Sequence, residues 1–472
     1  MRQNPPPFGA GSQTAGSAYS KKLTSVKENL RVEEWEASAG DFVPGTQGWS
    51  VRKVTLHGGR QEGVETIVVD NGKLKITVCP TRGMGVLSVT MGDVLLGWSS
   101  PVKEIVHPSL INLESRGGLG WLEGFNEWMV RCGLESAGHP GVDKFVNNVG
   151  DEATMELTLH GKIANIPASE VEVVVDPEPP HRIRVRGIVE ERMFYGPKLV
   201  LHTEVSTVPG SNTFQIADVI VNEGDAEQEF QIIYHANFGP PLLEEASTFA
   251  GAIERVTPFN EHAAKDIATY AAYKGPQLGF IEQVYCLRPK ADAEGRALLM
   301  LRNRAHDKAV SLAFAVRELP FVTLWKNTNA LGEGYATGVE PGTGFPNNRR
   351  IERKFGRVPK LPPGGTFSAT IDFAIHATHA EVADVSKRIE ALQGGAQPIV
   401  DDRPEDKSLE IGHSTVTAPG GNARPLPAGN WQFDRASNAR RCGATPRRYS
   451  HRFSRPTIML REPPARPGRD DV

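Results

Sequence analysis

Proton transfer needs one group that accepts a proton and another that gives one, and several stretches of this chain supply side chains of the right kind. From Leu312 to Arg357, two apolar runs, Leu312 to Val316 and Phe321 to Trp325, flank Glu318-Leu319-Pro320 and predict two strands joined by a turn. Gly338-Val339-Glu340-Pro341-Gly342-Thr343-Gly344-Phe345-Pro346-Asn347 follows, and carries one carboxylate, Glu340, from a strand into a proline-stiffened loop. Such a loop holds an acid in one geometry at the rim of a β scaffold. The competing reading is a solvated carboxylate, or one paired with Arg349 or Arg350. The run Gln231-Ile232-Ile233-Tyr234-His235-Ala236-Asn237-Phe238-Gly239 delivers His235 and Asn237 from an apolar strand. Residues two apart share a face, so both can enter one pocket, or both can be satisfied at a strand end.

Three further stretches carry groups able to hold a polar ligand. In Pro80-Thr81-Arg82-Gly83-Met84-Gly85, glycines let the backbone approach whatever Arg82 holds, a ligand oxygen or merely a turn. Gly120 to Glu135 packs Trp121, Phe125, Glu127, Trp128 and Arg131 together, a mixture suited to the apolar face and the hydroxyls of a sugar, or to a core segment with incidental charges. Leu159-His160-Gly161-Lys162 ends a strand on a histidine, more often a structural residue than a chemical one.

The elements that position these groups read as strands. Glu65 to Val69 and Leu74 to Val78 flank Asp70-Asn71-Gly72, a hairpin signal. Strand and turn then alternate about every ten residues as far as Ala380, which predicts an all-β sandwich. Lys21 to Ala37 predicts one short helix and Glu381 to Leu392 another. Three segments are expected: a partly disordered extension (1–44), one sandwich domain (45–394) and a Pro/Arg-rich, mostly disordered tail (395–472). A formal net charge of -3 argues against a nucleic-acid partner. No apolar run approaches the roughly 20 residues that cross a bilayer, so no membrane partner is expected. Four dispersed cysteines without a C-x-x-C pair exclude a zinc or thioredoxin-type site and favour reduced thiols in the cytoplasm.

Taken together, Thr81-Arg82-Gly83-Met84, Arg131-Cys132-Gly133-Leu134-Glu135, Leu159-His160-Gly161, Tyr234-His235-Ala236-Asn237-Phe238-Gly239 and Gly338-Val339-Glu340-Pro341-Gly342-Thr343 resemble the aldose 1-epimerase (galactose mutarotase-like) superfamily. More narrowly they resemble a bacterial branch known mainly as a domain of unknown function. The resemblance spans roughly residues 45 to 390 and implies a galactose mutarotase-like antiparallel β-supersandwich. It implies Glu340 as catalytic base, His235 as general acid and His160 as a substrate-binding histidine. Leu56-His57-Gly58-Gly59 matches the family's histidine motif more literally but precedes the Arg82 segment, out of order. Tyr234 and Lys162 depart from the family pattern, so the sugar need not be galactose or glucose.

The implied reaction is anomer interconversion by acid-base ring opening, on a small-molecule sugar, with no cofactor and no metal. Arg82, Asn237, Glu127, Arg131, Trp325 and Lys326 join His160 as candidates for gripping hydroxyls or stacking on the ring. Two rivals stand beside it: a non-catalytic carbohydrate-binding or sensing protein, and a lyase or hydrolase on a similar sandwich. Hydrolysis wants a second carboxylate, and Glu127 is the candidate. The oligomeric state is left open.

Overall fold

Residues 18–409 are described by the structure, a computed structural model. Their alternating apolar pattern builds two large sheets, one of ten strands and one of thirteen. Among the described residues all strand-to-strand pairings are antiparallel except that of Ile253–Pro258 with Ile399–Val400. The Asp70-Asn71-Gly72 hairpin forms as expected, with Gly72 at φ +87. Side chains alternate across each strand, so one face of each sheet meets the other sheet. Val173, Val185, Leu201, Ile216 and Phe373 of the smaller sheet share a fully buried core with Val78, Ile232, Tyr234 and Val339 of the larger. Each such side chain contributes roughly 1.5–3 kcal/mol on burial. Trp128 plugs the two layers together, its ring edge-on to Phe214 and Phe373 at 5.5 and 5.0 Å.

The ends of the domain differ from expectation. Lys21 to Ala37 forms no helix: Tyr19–Ser25 pairs with Glu170–Val175, and Trp35–Ser38 pairs with Ser50–Thr55. The helical spacing of Val26, Leu30 and Trp35 is not used, since Val26 is exposed while Leu23 is buried. Open sheet edges supply the partners that decide the conformation, and tertiary pairing overrides local propensity. The sandwich therefore begins at Tyr19 rather than at residue 45, and it continues past 394 through Ile399–Val400. The final helix runs from His379 to Gln393, capped by Thr378. Glu318-Leu319-Pro320 does not close a hairpin; it carries the chain from a strand of one sheet, Ala309–Ala315, to a strand of the other, Phe321–Asn327. Most of the tail expected to be disordered lies outside the described residues.

Candidate active site

The four strands at the middle of the larger sheet run, in order, Phe321–Asn327, Ala336–Gly342, Gln231–Phe238 and Met129–Leu134. Glu340 thus sits within a central strand, not in a loop. Ile233 pairs with Gly342, Ala236 with Val339 and Asn237 with Gly338. This register sets Glu340 directly opposite His235, and on its other side Glu340 pairs with Thr323. Directly opposed residues have their Cβ atoms about 5 Å apart, so their side chains touch. Accordingly His235 Nε2 lies 3.2 Å from Glu340 Oε1. Gly338, beside them, leaves room for the carboxyl: a Cβ there would stand 2.2 Å from Glu340 Oε1.

Both groups are buried on the face of the sheet that points away from the inter-sheet core. Burial, aided by the nearby charge of Glu282, holds the Glu340 carboxyl well above its ordinary 4.5. Burial, aided by His160, holds His235 well below 6.5. The pair therefore keeps a single proton across a wide range of pH. Whether that proton rests on oxygen or nitrogen, the net charge of the pair is zero.

Aromatic side chains close around this pair. Phe125, Trp325 and Trp121 stand 5.4, 5.6 and 6.1 Å from the His235 ring. His160 stands 5.3 Å away, edge-on. Its Nδ1 bonds the Ala137 carbonyl at 2.9 Å, and burial lowers its pKa to about 4, so it is a neutral imidazole. The turn that aims it has φ +59, an uncommon conformation for a non-glycine residue. Trp325 is fixed by its indole N–H, which donates to Glu282 Oε2 at 2.8 Å. Among the described residues, His235 Nδ1, Asn237 Oδ1, Thr323 Oγ1 and Trp121 Nε1 are buried polar atoms without a hydrogen-bond partner. Buried polar atoms are ordinarily satisfied, so a cluster of unsatisfied ones around one acid-base pair is what a hydroxylated ligand would complete.

The remaining candidates divide by the parity of their strands. Arg131 alternates with Val130 and Cys132, so it faces the inter-sheet core. There it is locked on Asp218 of the other sheet at 2.5 and 2.9 Å, and it also donates to Thr203 and to the Met84 carbonyl. It ties the sheets together and does not reach the His235–Glu340 pair. Lys326, next to Trp325, likewise points to the opposite face. Its ammonium donates to the carbonyls of Thr269, Tyr270 and Ala272, beside a separate cavity of about 180 Å³. Arg82 and Glu127 form a fully buried ion pair at 2.8 Å. Arg82 also bonds the carbonyls of Val106 and Gly124, so it fixes the segment bearing Trp121 and Phe125. Asn237 donates to the Glu127 carbonyl and to its own strand at His235. His57 is on the surface beside Glu62, away from this group. Thr323 and Gly338, which the sequence reading did not single out, follow from the register alone.

Among the described residues no group of three or more His, Cys, Asp or Glu side chains is placed to hold a metal ion. No helix of the described residues is long and apolar enough to cross a membrane.

The comparisons with known proteins agree with this architecture. The family model described as a domain of unknown function, DUF4432, matches residues 61–375, well over half of the chain. Among solved structures, a Klebsiella pneumoniae protein provisionally named an aldose 1-epimerase is similar at 41% identity and a TM-score of 0.78, over 83% of this chain and 100% of its own. A galactose mutarotase-like protein from Clostridium acetobutylicum matches at 14% identity and a TM-score of 0.46, over 70% of this chain and 98% of its own. Among curated proteins none matches. The chain belongs to the DUF4432 family, a family of unknown function on the galactose mutarotase-like fold.

Proposed function

We propose that this protein interconverts the anomers of a sugar by acid-base ring opening, with Glu340 as base and His235 as acid. The observation that carries this reading is the contact of the two groups at 3.2 Å. In a hemiacetal, the anomeric hydroxyl and the ring oxygen share one carbon, so the base and acid that open the ring must themselves be neighbours. The pair's one proton, which burial favours on Glu340, first passes to His235 across their contact. Glu340 then removes the proton of the anomeric hydroxyl while His235 protonates the ring oxygen, and the bond from C1 to the ring oxygen breaks. The open aldehyde turns about its C1–C2 bond. Closure on the other face returns the proton from Glu340 to the carbonyl oxygen, and His235 takes back the proton of the attacking hydroxyl. One proton shuttles through the pair, which fits a site whose two titrating groups hold one between them.

The ring's apolar face is expected against Trp325 and Phe125, with His160, Asn237 and Thr323 reaching its hydroxyls. A glycoside hydrolase instead separates two carboxyl groups by at least about 5 Å. Here Glu127, the second carboxylate that reading needs, is neutralised by Arg82. The test is NMR anomer exchange over a panel of free and phosphorylated sugars. Glu340→Gln and His235→Asn should each slow exchange by roughly 10² to 10⁴ while leaving the fold intact. Their effects should combine less than additively, because both act on one event. A sugar that binds but is never accelerated by the unsubstituted protein would show a binder instead.

A further inference from the structure

The same register that pairs His235 with Glu340 extends further along the sheet. Glu340 pairs with Thr323, Thr323 with Cys286, and Cys286 with Thr257, so these side chains share the face of the acid-base pair. At about 4.8 Å per strand, Cys286 lies roughly 10 Å from Glu340 along this row. There the face is not open. The segment Asp401–Ser408, beyond the family match that ends at residue 375, lies across it. Asp401 accepts hydrogen bonds from Thr257 and Arg255, both at 2.6 Å, and Glu405 is forked on Arg357 at 2.9 Å.

We propose that the strap Asp401–Ser408 is one wall of the sugar site, and that Lys407 reads an acidic substituent, a phosphate or a carboxylate, at the end of the sugar remote from its anomeric carbon. This rests on the sugar-site reading above. The ammonium of Lys407 sits 3.2 Å from the centre of the Phe259 ring and donates one hydrogen bond, to the Phe259 carbonyl. Among the described residues no carboxylate lies within ion-pair distance of it. The carboxylates whose charge reaches it, Glu405 and Glu352, are both taken up by Arg357. A half-buried cation without a counter-ion is costly, and burial accordingly lowers its pKa from the usual lysine value. Two donors are left for an anion.

Lys407 is also placed on the correct side. The Phe259 ring it covers packs against His139 at 5.4 Å, and the His139 segment lies beside His160, whose backbone N–H donates to the Gly138 carbonyl. The chain of contacts from Lys407 through Phe259 and His139 therefore ends at the histidine that faces His235. A hexose anchored at Glu340 by its anomeric hydroxyl, and lying over Thr323, would bring its far substituent toward the strap.

Anomer exchange of glucose, glucose 6-phosphate and glucuronate should be measured with the intact protein and with Lys407→Gln and Lys407→Arg, alongside calorimetric binding of each ligand. The expected result is a kcat/KM highest for one of the two anionic sugars, lowered about tenfold to a hundredfold by Lys407→Gln and largely kept by Lys407→Arg. Glucose should change by less than about twofold, since it makes no charge-assisted bond there. The phosphate and carboxylate arms decide which acid is read. Equal losses on all three sugars would mean that Lys407 only staples the strap to Phe259, and would overturn the proposal. So would no effect, or no binding of any of the three. If none is turned over, the catalytic reading fails by itself. An anion-dependent affinity that Lys407→Gln removes would still establish the wall.

Discussion

Replacing Glu340 by glutamine should make the protein slower and, at neutral pH, more stable. In the native protein the His235–Glu340 pair holds one proton. In the unfolded chain a free carboxyl and a free imidazole hold two protons below pH 4.5, one between 4.5 and 6.5, and none above. Stability changes by about 1.4 kcal/mol per pH unit for each proton by which the two states differ. For the unsubstituted protein the pair's contribution is therefore level between 4.5 and 6.5 and declines above 6.5, because the native state retains a proton that the unfolded state has lost. With glutamine, the buried imidazole is neutral when folded. Its contribution rises up to 6.5 and is level beyond. The sign is thus the same throughout: raising the pH above 4.5 favours the variant relative to the parent. The difference should therefore grow steadily with pH, by at most about one proton's worth of linkage per unit. Urea unfolding of both proteins at several values between pH 5.5 and 7.5, with anomer exchange measured in parallel, reads both halves of the claim. Parallel stability curves would refute it, because they would mean that Glu340 folds as an ordinary ionised carboxylate.

Gly338→Ala places a methyl group 2.2 Å from Glu340 Oε1 and must push the carboxyl aside. Exchange should fall by roughly 10²-fold with little change in melting temperature, and unchanged exchange would show that the carboxyl's position is not critical. Arg131→Met leaves Asp218 buried without its partner, at a cost of about 3–5 kcal/mol. The protein that remains folded should keep its anomer exchange, whereas a specific loss of kcat in that fraction would return Arg131 to the site. A chain ending at Gly394 lacks Ile399–Val400, Asp401 and Glu405, so Arg255, Thr257 and Arg357 lose partners. Its melting temperature should drop by several degrees in calorimetry, and an unchanged one would mean that the strap only rests on the sheet.

The sandwich was legible because strands buried on one face must alternate, and turns such as Asp70-Asn71-Gly72 announce themselves. His235 and Asn237 share a face by the same rule. What could not be read was the partner strand, since His235 and Glu340 are brought together by a register fixed across a hundred intervening residues. Alternation also held a warning left unused: Trp325 and Lys326 are neighbours on one strand and cannot both face a sugar. The same rule separates Arg131 from Cys132. Which of the two faces carries the site depends on where the second sheet packs, and that is a property of the whole fold. The N-terminal segment misled for a related reason, since two different strands claim it, Ser50–Thr55 nearby and Glu170–Val175 far away in the chain.

The spacing between acid and base is set by the hydrogen-bonded ladder of the central sheet, while the walls around them come from segments outside it, Gly120–Phe125 on one side and Asp401–Ser408 on the other. Reaction and selectivity are therefore separable in this architecture. On the proposed function, mutations that reshape a wall would redirect the protein toward a different sugar without moving the proton donor or acceptor. The ladder would then serve as the fixed part of the site, and the walls as the part open to change.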